Sequence, residues 1–480
     1  MPLLRRDPGA SAVTPMVALF WYGVVPNVVW AVAGTVVFVS RPMVCVDYLV
    51  AGSSAAVLPR WATLALVAAV LAADALTSLG GIYYFLGADL LSALQYLSAL
   101  AWAPLLAFAW PGRVAGLAYL VATARLIHLD DTRSHRTAMT LLLAAGLLTG
   151  IDTVNGTNTL VHSGDVRVAA NIAGSALVLV GRLAASSPAL AHATPVPAPS
   201  ATADLRAFLT DASGRADGHI LVVVVESWGV PQSPLTHDTL IAPLLSANVR
   251  ADYTVRTGTL ESRGATVSAE LRELCGVRAA GVAAAPSQAA AWRSCLPWLA
   301  REKGYTTAAY HGFSGAMFNR TLWYPVIGFQ QAAFAETVRS RAQATRSCGQ
   351  LFSGGLCDRD VLLALERDLL EARQPQFLYW LTLESHLPVD PQEATGAAPC
   401  DTLGSDAPGV GVCRSMTVVA RTLSQIASLA TDSRFALSWI VVVGDHPPPF
   451  AARRDRAWFE SNRVPFVELR RRAAFLPIHD

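Results

Sequence analysis

Acidic and imidazole side chains stand at the ends of apolar runs in the second half of the chain. The run LSWIVVVG is followed directly by Asp445 and His446, and HILVVVV is followed by Glu226. Carboxylates and imidazoles are common zinc and manganese ligands. Because a lone Asp–His pair is usually the polar end of a core strand, the pair indicates a metal site only together with partners elsewhere in the chain.

Two further apolar runs end in the same residue types. TTAAYHG contains His311, and FLYWLTLESH ends in Glu384 and His386. In parallel sheets ligands gather at the carboxyl ends of the strands. We therefore predict that these side chains converge with Glu226 and Asp445 at one edge of a sheet.

The stretch SRGATVSAELRELCG (262–276) supplies a hydroxyl that a metal could activate. Small residues precede Thr266 and strong helix formers follow it, which predicts Thr266 at a helix N-terminus. Such a position favours a bound phosphate, and a metal ion would favour the alkoxide for attack on phosphorus. The alternative is that Thr266 only caps the helix, with Glu270 as an acid in its first turns.

The elements that must position these residues alternate between two types. Predicted strands are HILVVVVES (219–227), TTAAYHG (306–312), FLYWLTLESH (377–386) and LSWIVVVGDH (437–446). Predicted helices are TLIAPLLSA (239–247), DRDVLLALERDLLEA (358–372) and MTVVARTLSQIASLA (416–430). Uninterrupted apolar strands separated by helices indicate an α/β domain with a mostly parallel sheet covered on both faces.

The apolar excess of the chain lies in its first 190 residues. The 480 residues are 53% hydrophobic and only 15% charged, with a mean hydropathy of +0.39. Five apolar stretches predict an α-helical membrane domain at 1–152, namely 14–40, 61–86, 90–110, 114–129 and 137–151. Residues 153–205 are assigned to an interfacial or juxtamembrane helix at 168–181 and an Ala/Pro-rich linker at 186–205. The alternative is that 168–181 also crosses the membrane, which would place the rest of the chain in the cytoplasm. Residues 206–480 are then one large domain.

Charge and cysteine predict which side of the membrane this domain occupies. Arg5, Arg6 and the basic loop 125–136 are expected in the cytoplasm, which places 206–480 outside. Six of the seven cysteines lie in that part, an even number that suits disulfides in an oxidising compartment. Fifteen pairings are possible, and proximity favours Cys275–Cys295, Cys348–Cys357 and Cys400–Cys413. The alternative is six unrelated thiols. The net charge of +2 gives no indication of nucleic-acid binding.

The motifs VVVVESWG, GATVSAEL and VVVGDH, in this order, resemble those of the alkaline phosphatase and sulfatase superfamily. More narrowly, the whole plan resembles its membrane-bound branch: lipoteichoic acid synthases, phosphoglycerol transferases and lipid A phosphoethanolamine transferases. The resemblance implies a sulfatase-like periplasmic domain. It also implies one divalent ion, Mn²⁺ or Zn²⁺, held by Glu226, Asp445, His446 and the oxygen of Thr266, the catalytic nucleophile.

Two segments resemble the substrate-contacting segments of that branch. YHGFSGAMFNRTLWYPVIGF (310–329) implies that His311 and Arg320 bind the phosphate group, and TLESHLPV (382–389) implies that His386 binds substrate and moves protons. Phe318 stands where the synthases place a Trp two residues before the Arg. None of the seven cysteines begins the C-x-P-x-R motif of true sulfatases, which disfavours a sulfate esterase.

The resemblance implies transfer of a phospholipid head group, phosphoglycerol foremost, to a cell-envelope glycan or lipid-linked glycan. The protein would be a multi-pass protein of the bacterial inner membrane. Three alternatives stay open: phosphoethanolamine as the transferred group, a phosphodiesterase or phosphatase that uses water, and an inactive partner in envelope export. The six outer cysteines favour the phosphoethanolamine branch, whereas LESH and GDHPPPF favour the phosphoglycerol branch.

The predicted topology can be tested with reporter fusions. A phosphatase reporter that requires export, fused after residue 205, should be active because the segment is expected outside the cytoplasm. The same reporter fused near residue 131 should be inactive, since that loop is expected to stay inside. The reverse pattern would overturn both the topology and the compartment argued for the disulfides.

Overall fold

The computed structural model describes residues 14–36, 43–83, 110–127, 134–154, 173–178, 196–211, 217–262, 266–278, 292–342, 347–348, 355–394, 400, 408–450 and 452–472. These residues form two compact units, one up to residue 178 and one from residue 196 onward.

The first unit is mostly helical. Its helices are α1 (Thr14–Leu19), α2 (Val25–Val36), α3 (Asp47–Ser53), α4 (Arg60–Tyr83), α5 (Trp110–Ile127) and α6 (His135–Val154). A π-helical turn, Phe20–Val24, joins α1 to α2, and a 3-10 turn, Ser54–Ala56, follows α3. Two short strands, β1 (Val44–Cys45) and β2 (Ala173–Gly174), pair in parallel.

The helices of this unit overlap four of the five predicted spans, and the span 90–110 lies outside the described residues apart from Trp110. Among the described residues one helical segment, Pro15–Ala33, is long and apolar enough to cross a membrane, rather than five. A membrane domain with several spans therefore stays a prediction.

Of the predicted juxtamembrane helix at 168–181, the structure describes only residues 173–178. The first residues of this described part are not helical. Ala173–Gly174 is a strand, and only residues 176–178 are helical. The buried carboxylate of Asp47 holds this segment, because it accepts hydrogen bonds from Ser175 Oγ at 2.6 Å and from the Leu177 backbone N–H at 2.9 Å. The pairing with β1 thus replaces the first part of the expected helix.

The second unit is built on a seven-stranded sheet with the order β5-β11-β10-β4-β9-β7-β8. The strands are β4 (His219–Val225), β5 (Tyr253–Glu261), β7 (Thr306–His311), β8 (Gln331–Ala333), β9 (Gln376–Leu381), β10 (Leu437–Gly444) and β11 (Arg463–Arg471). A separate ladder joins β3 (Val196–Pro197) to β6 (Val277–Arg278). The five strands from β10 to β8 are parallel, and β11 runs antiparallel to both of its neighbours, β10 and β5.

Helices connect these strands. They are α7 (Ala203–Thr210), α8 (Pro234–Ile241), α9 (Ala247–Asp252), α10 (Thr266–Cys275), α11 (Leu296–Glu302), α12 (Arg320–Trp323), α13 (Ala335–Ala342), α14 (Asp358–Glu371), α15 (Val410–Thr431) and α16 (Arg453–Arg456). The 3-10 turns are Ala242–Leu245, Met317–Asn319 and Ser433–Phe435. Two apolar clusters, one on each face of the sheet, bury alternate residues of β4 and β10.

The predicted α/β domain with a mostly parallel sheet is confirmed, but two of its elements differ from prediction. TLIAPLLSA is not one helix, because α8 ends at Ile241, a 3-10 turn containing Pro243 follows, and Ser246 caps α9. The strand predicted to 386 ends at Leu381. The chain turns there because the Asp358 carboxylate accepts hydrogen bonds from the N–H groups of Leu383 and Glu384.

The antiparallel strands β5 and β11 were not predicted. Both lie toward one edge of the sheet, and β5 is the outer strand, half-exposed for most of its length. Polar residues such as Thr and Arg interrupt the apolar pattern of YTVRTGTLE, so a search for buried runs misses it. Its Tyr, Val and three Thr residues, all with high strand propensity, are the signal that favours a strand.

The three disulfides pair in sequence order, as predicted. Cys275–Cys295, Cys348–Cys357 and Cys400–Cys413 have Cα–Cα distances of 4.0, 4.8 and 5.7 Å. The first bond links the last residue of α10 to the residue that precedes α11. It therefore anchors the helix that begins at Thr266.

Replacing Cys275 and Cys295 together by Ala should lower the free energy of unfolding by about 3 kcal/mol, because the loop that this bond closes becomes free in the unfolded chain. Denaturant unfolding of the full-length protein under oxidising conditions measures the loss. The pair Cys348→Ala with Cys357→Ala, which opens a shorter loop, serves as the comparison and should cost no more. Unchanged stability in the first double variant would contradict the prediction.

Candidate active site

The pairing of β4 with β10 brings two carboxylates to the same edge of the sheet. Gly444 lies opposite Val225 at the end of the parallel ladder, and the Asp445 N–H donates to the Val225 carbonyl at 3.1 Å. The residues that follow the two strands, Glu226 and Asp445, are consequently neighbours. Both are buried.

Thr266, the first residue of α10, lies against both carboxylates. Its Oγ1 is 3.2 Å from Glu226 Oε2 and 3.0 Å from Asp445 Oδ2. The Nε2 atom of His446 lies 3.2 Å from Asp445 Oδ2 and 3.4 Å from Glu226 Oε1. The structure thus brings together the four residues that the sequence analysis assigned to the metal, although up to 220 positions separate them.

Backbone groups hold the Asp445 carboxylate in this position. Its Oδ1 accepts from the Ser227 N–H at 2.7 Å and from the His446 N–H at 2.5 Å. Ser227 has a positive φ of 53°, which turns the chain sharply after Glu226. Gly444 is required by a close approach, since a Cβ there would lie 2.0 Å from the Trp228 carbonyl oxygen.

The electrostatics of this cluster favour a cation. Burial, with the charge of Glu226, raises the pKa of Asp445 to about 7. Burial by itself would lower the pKa of His446, but Asp445 and Glu226 outweigh it and raise that pKa above its usual value. A divalent ion among these groups would offset the repulsion between two buried carboxylates.

The donor set fits Mn²⁺ or Zn²⁺. Ligand atoms of Glu226, Asp445 and His446 lie within 4.8 Å of one another, and Thr266 adds a hydroxyl oxygen. Two carboxylates, an imidazole and an oxygen suit a tetrahedral or expanded site. The His446 Nδ1 atom lies 3.1 Å from the Pro447 carbonyl, and a carbonyl only accepts hydrogen bonds. The proton on Nδ1 leaves Nε2 to serve as the ligand atom.

A second cluster of ligand-type residues consists of Cys348, Cys357 and Glu384. The two sulfur atoms are bonded to each other, so they are not metal ligands. Glu384 accepts from the Asp358 N–H at 2.9 Å and from Arg421 Nη2 at 3.0 Å. Glu384, one of the four predicted strand-end groups, therefore supports the turn after β9 and does not join the metal cluster.

His386 and His311 are both neutral at pH 7. Burial and the nearby charge of His446 lower the pKa of His386 to about 4, and its Nδ1 lies 2.8 Å from the Leu387 carbonyl. Burial and the charge of Arg320 lower the pKa of His311 to about 3, and its Nδ1 lies 3.1 Å from the Leu381 carbonyl. His386 is therefore close to His446, and His311 is close to Arg320.

Arg320 is held by Glu270, which the sequence analysis described only as an acid in the first turns of the helix that begins at Thr266. Its Nε and Nη2 donate to Glu270 Oε2 at 3.1 and 2.9 Å. Both side chains are buried. A recognisable signal was available in TVSAE, because Thr266 and Glu270 are four residues apart and share one face of a helix. Spacing alone does not show that this face is buried.

The fold is an α/β domain whose sheet carries, at its carboxyl end, two buried carboxylates, an imidazole and a threonine hydroxyl. The sulfatase family model matches residues 218–468, just over half of the chain. The chain belongs to the sulfatase family. The predicted resemblance to the alkaline phosphatase and sulfatase superfamily is confirmed.

Several solved structures are similar to this chain. The lipoteichoic acid synthase of Listeria monocytogenes is 15% identical with a TM-score of 0.40, over 55% of this chain and 70% of that one. The phosphoglycerol transferase of Streptococcus pyogenes, solved with sn-glycerol-1-phosphate, is 18% identical with a TM-score of 0.36, over 55% and 72%. The integral membrane lipooligosaccharide phosphoethanolamine transferase of Neisseria meningitidis is 12% identical with a TM-score of 0.49, over 97% and 89%. No curated protein matches the chain.

Asp445→Asn should lose the bound metal while the protein stays folded. The amide keeps the shape of the side chain and can still accept from the Ser227 N–H, but it removes one of two negative charges that would hold the ion. Metal content after dialysis against Mn²⁺ or Zn²⁺ measures the effect, and circular dichroism controls for folding. Glu468→Gln is the control, since Glu468 is also buried but pairs with Arg256 on β11. Full metal occupancy in Asp445→Asn would contradict the assignment.

Proposed function

We propose that this protein transfers a phospholipid head group, phosphoglycerol foremost, to a cell-envelope glycan or lipid-linked glycan through a covalent intermediate on Thr266. One observation carries the proposal: the Thr266 hydroxyl lies 3.2 and 3.0 Å from two buried carboxylates at the start of a helix. A threonine that only capped α10 would not need acidic neighbours. A nucleophile that is activated beside a metal ion needs acidic neighbours, because they bind the ion.

Glu226, Asp445, His446 and the Thr266 oxygen would hold one Mn²⁺ or Zn²⁺. When bound, the ion would stabilise the alkoxide of Thr266 and offset the negative charge of the phosphate. The Asp445 carboxylate keeps its place through the N–H groups of Ser227 and His446. The helix N-terminus adds a favourable field for the phosphate oxygens.

The transfer takes place in two displacements at phosphorus. In the first, a bond forms between Thr266 Oγ1 and phosphorus, the bond to the diacylglycerol oxygen breaks, and the Thr266 proton ends on the released diacylglycerol. In the second, a bond forms between an acceptor oxygen and phosphorus, the bond between Thr266 Oγ1 and phosphorus breaks, and the proton of the acceptor hydroxyl ends on Thr266. The Nδ1 atom of His386 faces the Leu387 carbonyl, so Nε2 is the atom that could accept the proton of the incoming hydroxyl.

Arg320 and His311 would bind the phosphate and its head group. Arg320 is charged, and its pairing with Glu270 leaves part of the guanidinium for a phosphate oxygen. The Nδ1 atom of His311 bonds the Leu381 carbonyl, so Nε2 is an acceptor suited to a hydroxyl donor. A hydroxyl of a glycerol head group could donate to it, as could the ammonium group of ethanolamine.

The proposed donor explains why a membrane domain would precede the catalytic one. A diacylglycerol product leaves the bilayer only at a large hydrophobic cost, so the chemistry has to occur at the membrane surface. The three disulfides support an oxidising compartment, the periplasmic side of the inner membrane. Transfer of phosphoethanolamine, or hydrolysis with water as acceptor, would use the same residues.

Mass spectrometry of the Thr266 peptide tests the proposal and identifies the donor. Full-length protein with Mn²⁺ or Zn²⁺ is incubated with vesicles of phosphatidylglycerol or of phosphatidylethanolamine. We expect a glycerophosphate adduct with the first lipid. Thr266→Ala should carry no adduct, Thr266→Ser should retain part of it, and Ser268→Ala, on the same helix, should behave like the wild type. An adduct only with the second lipid would make the protein a phosphoethanolamine transferase, and none with either would contradict covalent transfer.

A further inference from the structure

The carboxylate of Glu270, one helical turn after Thr266, accepts hydrogen bonds from four donor groups. Glu270 is fully buried. Its Oε2 accepts from Arg320 Nε at 3.1 Å and Nη2 at 2.9 Å. Its Oε1 accepts from Tyr324 Oη at 2.5 Å and from Tyr379 Oη at 3.2 Å. Four donors to one carboxylate fix both its position and that of the guanidinium.

The network joins three separate parts of the fold. Glu270 belongs to α10, Arg320 begins α12 with Tyr324 directly after it, and Tyr379 belongs to β9 in the middle of the sheet. A buried ion pair is a poor way to gain stability, because apolar residues of the same volume often do as well or better. The arrangement therefore calls for a role other than holding the elements together.

The position of Glu270 relative to Thr266 indicates a role in phosphate binding. The two residues are four apart on α10, so their Cβ atoms lie about 5–6 Å apart on the same helix face. Glu270 therefore holds the guanidinium on the side of α10 that carries the nucleophile. A phosphate attached to Thr266, or approaching it, would lie within reach of this positive charge.

The charge states fit the same role. Burial by itself would lower the pKa of Arg320, but Glu270 outweighs it and raises that pKa, so the guanidinium stays charged. Burial, followed by the charge of Glu270, raises the pKa of Tyr324 and Tyr379. Both phenols consequently remain protonated and continue to donate to the carboxylate.

We propose that Glu270 is a positioning residue that holds the Arg320 guanidinium by Nε and Nη2, so that the N–H groups not engaged by Glu270 or by the Met317 carbonyl meet the phosphate at Thr266. The inference rests on the proposed function. By orienting Arg320 before substrate arrives, Glu270 removes the entropic cost of ordering a long side chain at the moment of binding. Tyr324 and Tyr379 hold Glu270 in turn.

Phosphate binding provides a readout that does not require turnover. The affinity of full-length protein for inorganic phosphate in the presence of Mn²⁺ is measured by calorimetry for the wild type, Glu270→Gln, Arg320→Met and the double variant. Glu270→Gln keeps the shape and should weaken phosphate binding about tenfold, the scale of a charged hydrogen bond. The double variant should bind no more weakly than Arg320→Met, because Glu270 acts through Arg320.

Glu273→Gln is the matched control. Glu273 is equally buried on α10 and pairs with Arg272 through Nε at 2.5 Å, but it also accepts from the backbone N–H of Ala201. A general loss of stability in α10 would affect this variant as well, whereas phosphate affinity should stay at the wild-type value. If Glu270→Gln does not fold, the double variant Tyr324→Phe with Tyr379→Phe replaces it and should weaken phosphate binding two- to threefold, roughly the scale of neutral hydrogen bonds.

Each outcome decides the proposal. Wild-type phosphate affinity in Glu270→Gln, or in the double Tyr variant where Glu270→Gln does not fold, contradicts it. So do additive losses in the Glu270–Arg320 double variant and absence of phosphate binding by the wild type. Loss of phosphate affinity in Glu270→Gln, without a Thr266 adduct in the wild type, would support the positioning role while contradicting the transferase function. A Thr266 adduct in the wild type, with unchanged phosphate affinity in Glu270→Gln, would support the transferase function while contradicting the positioning role.

Discussion

The parallel pairing of β4 with β10 is the interaction on which the candidate site depends. Its last step, Gly444 opposite Val225, places Glu226 and Asp445 side by side. A shift of one residue in this register would send their side chains to opposite faces, because successive side chains alternate across a strand. The apolar runs that bury both faces of the two strands prevent such a shift. The absence of a side chain at Gly444 allows the Trp228 carbonyl to pack against the end of β10.

Buried charge is concentrated around α10. At its start, Thr266 meets two carboxylates and an imidazole, and one turn later Glu270 pairs with Arg320. Two buried carboxylates in contact would repel each other, and backbone N–H groups offset only part of that cost for Asp445. A divalent cation would complete the balance. The second cluster needs none, since Glu270 and Arg320 neutralise each other and two Tyr hydroxyls satisfy the remaining oxygen.

Contacts between distant segments hold the residues of the site in place. The disulfide Cys275–Cys295 anchors the end of α10, and Asp358 at the start of α14 holds the turn that carries His386. Ser385 Oγ donates to the Glu226 carbonyl at 2.5 Å, which links that turn to the metal cluster. Movement of any of these segments would displace a residue that touches substrate or metal in the proposed reaction.

The sequence by itself determined the strands that end in functional residues, the helix that begins at Thr266 and the three disulfides. These features are local, since an apolar run, a helix start and a short cysteine spacing need no knowledge of distant partners. Order along the chain and family motifs were enough to group Glu226, Thr266, Asp445 and His446. Only the tertiary structure showed that Glu384 accepts hydrogen bonds from the Asp358 N–H and from Arg421. It likewise showed that Glu270 holds Arg320 and that β5 and β11 extend the sheet. Those outcomes depend on which residues meet across the fold, and a polar side chain has the same identity in the sequence whether its partner proves to be a metal, an arginine or a backbone N–H.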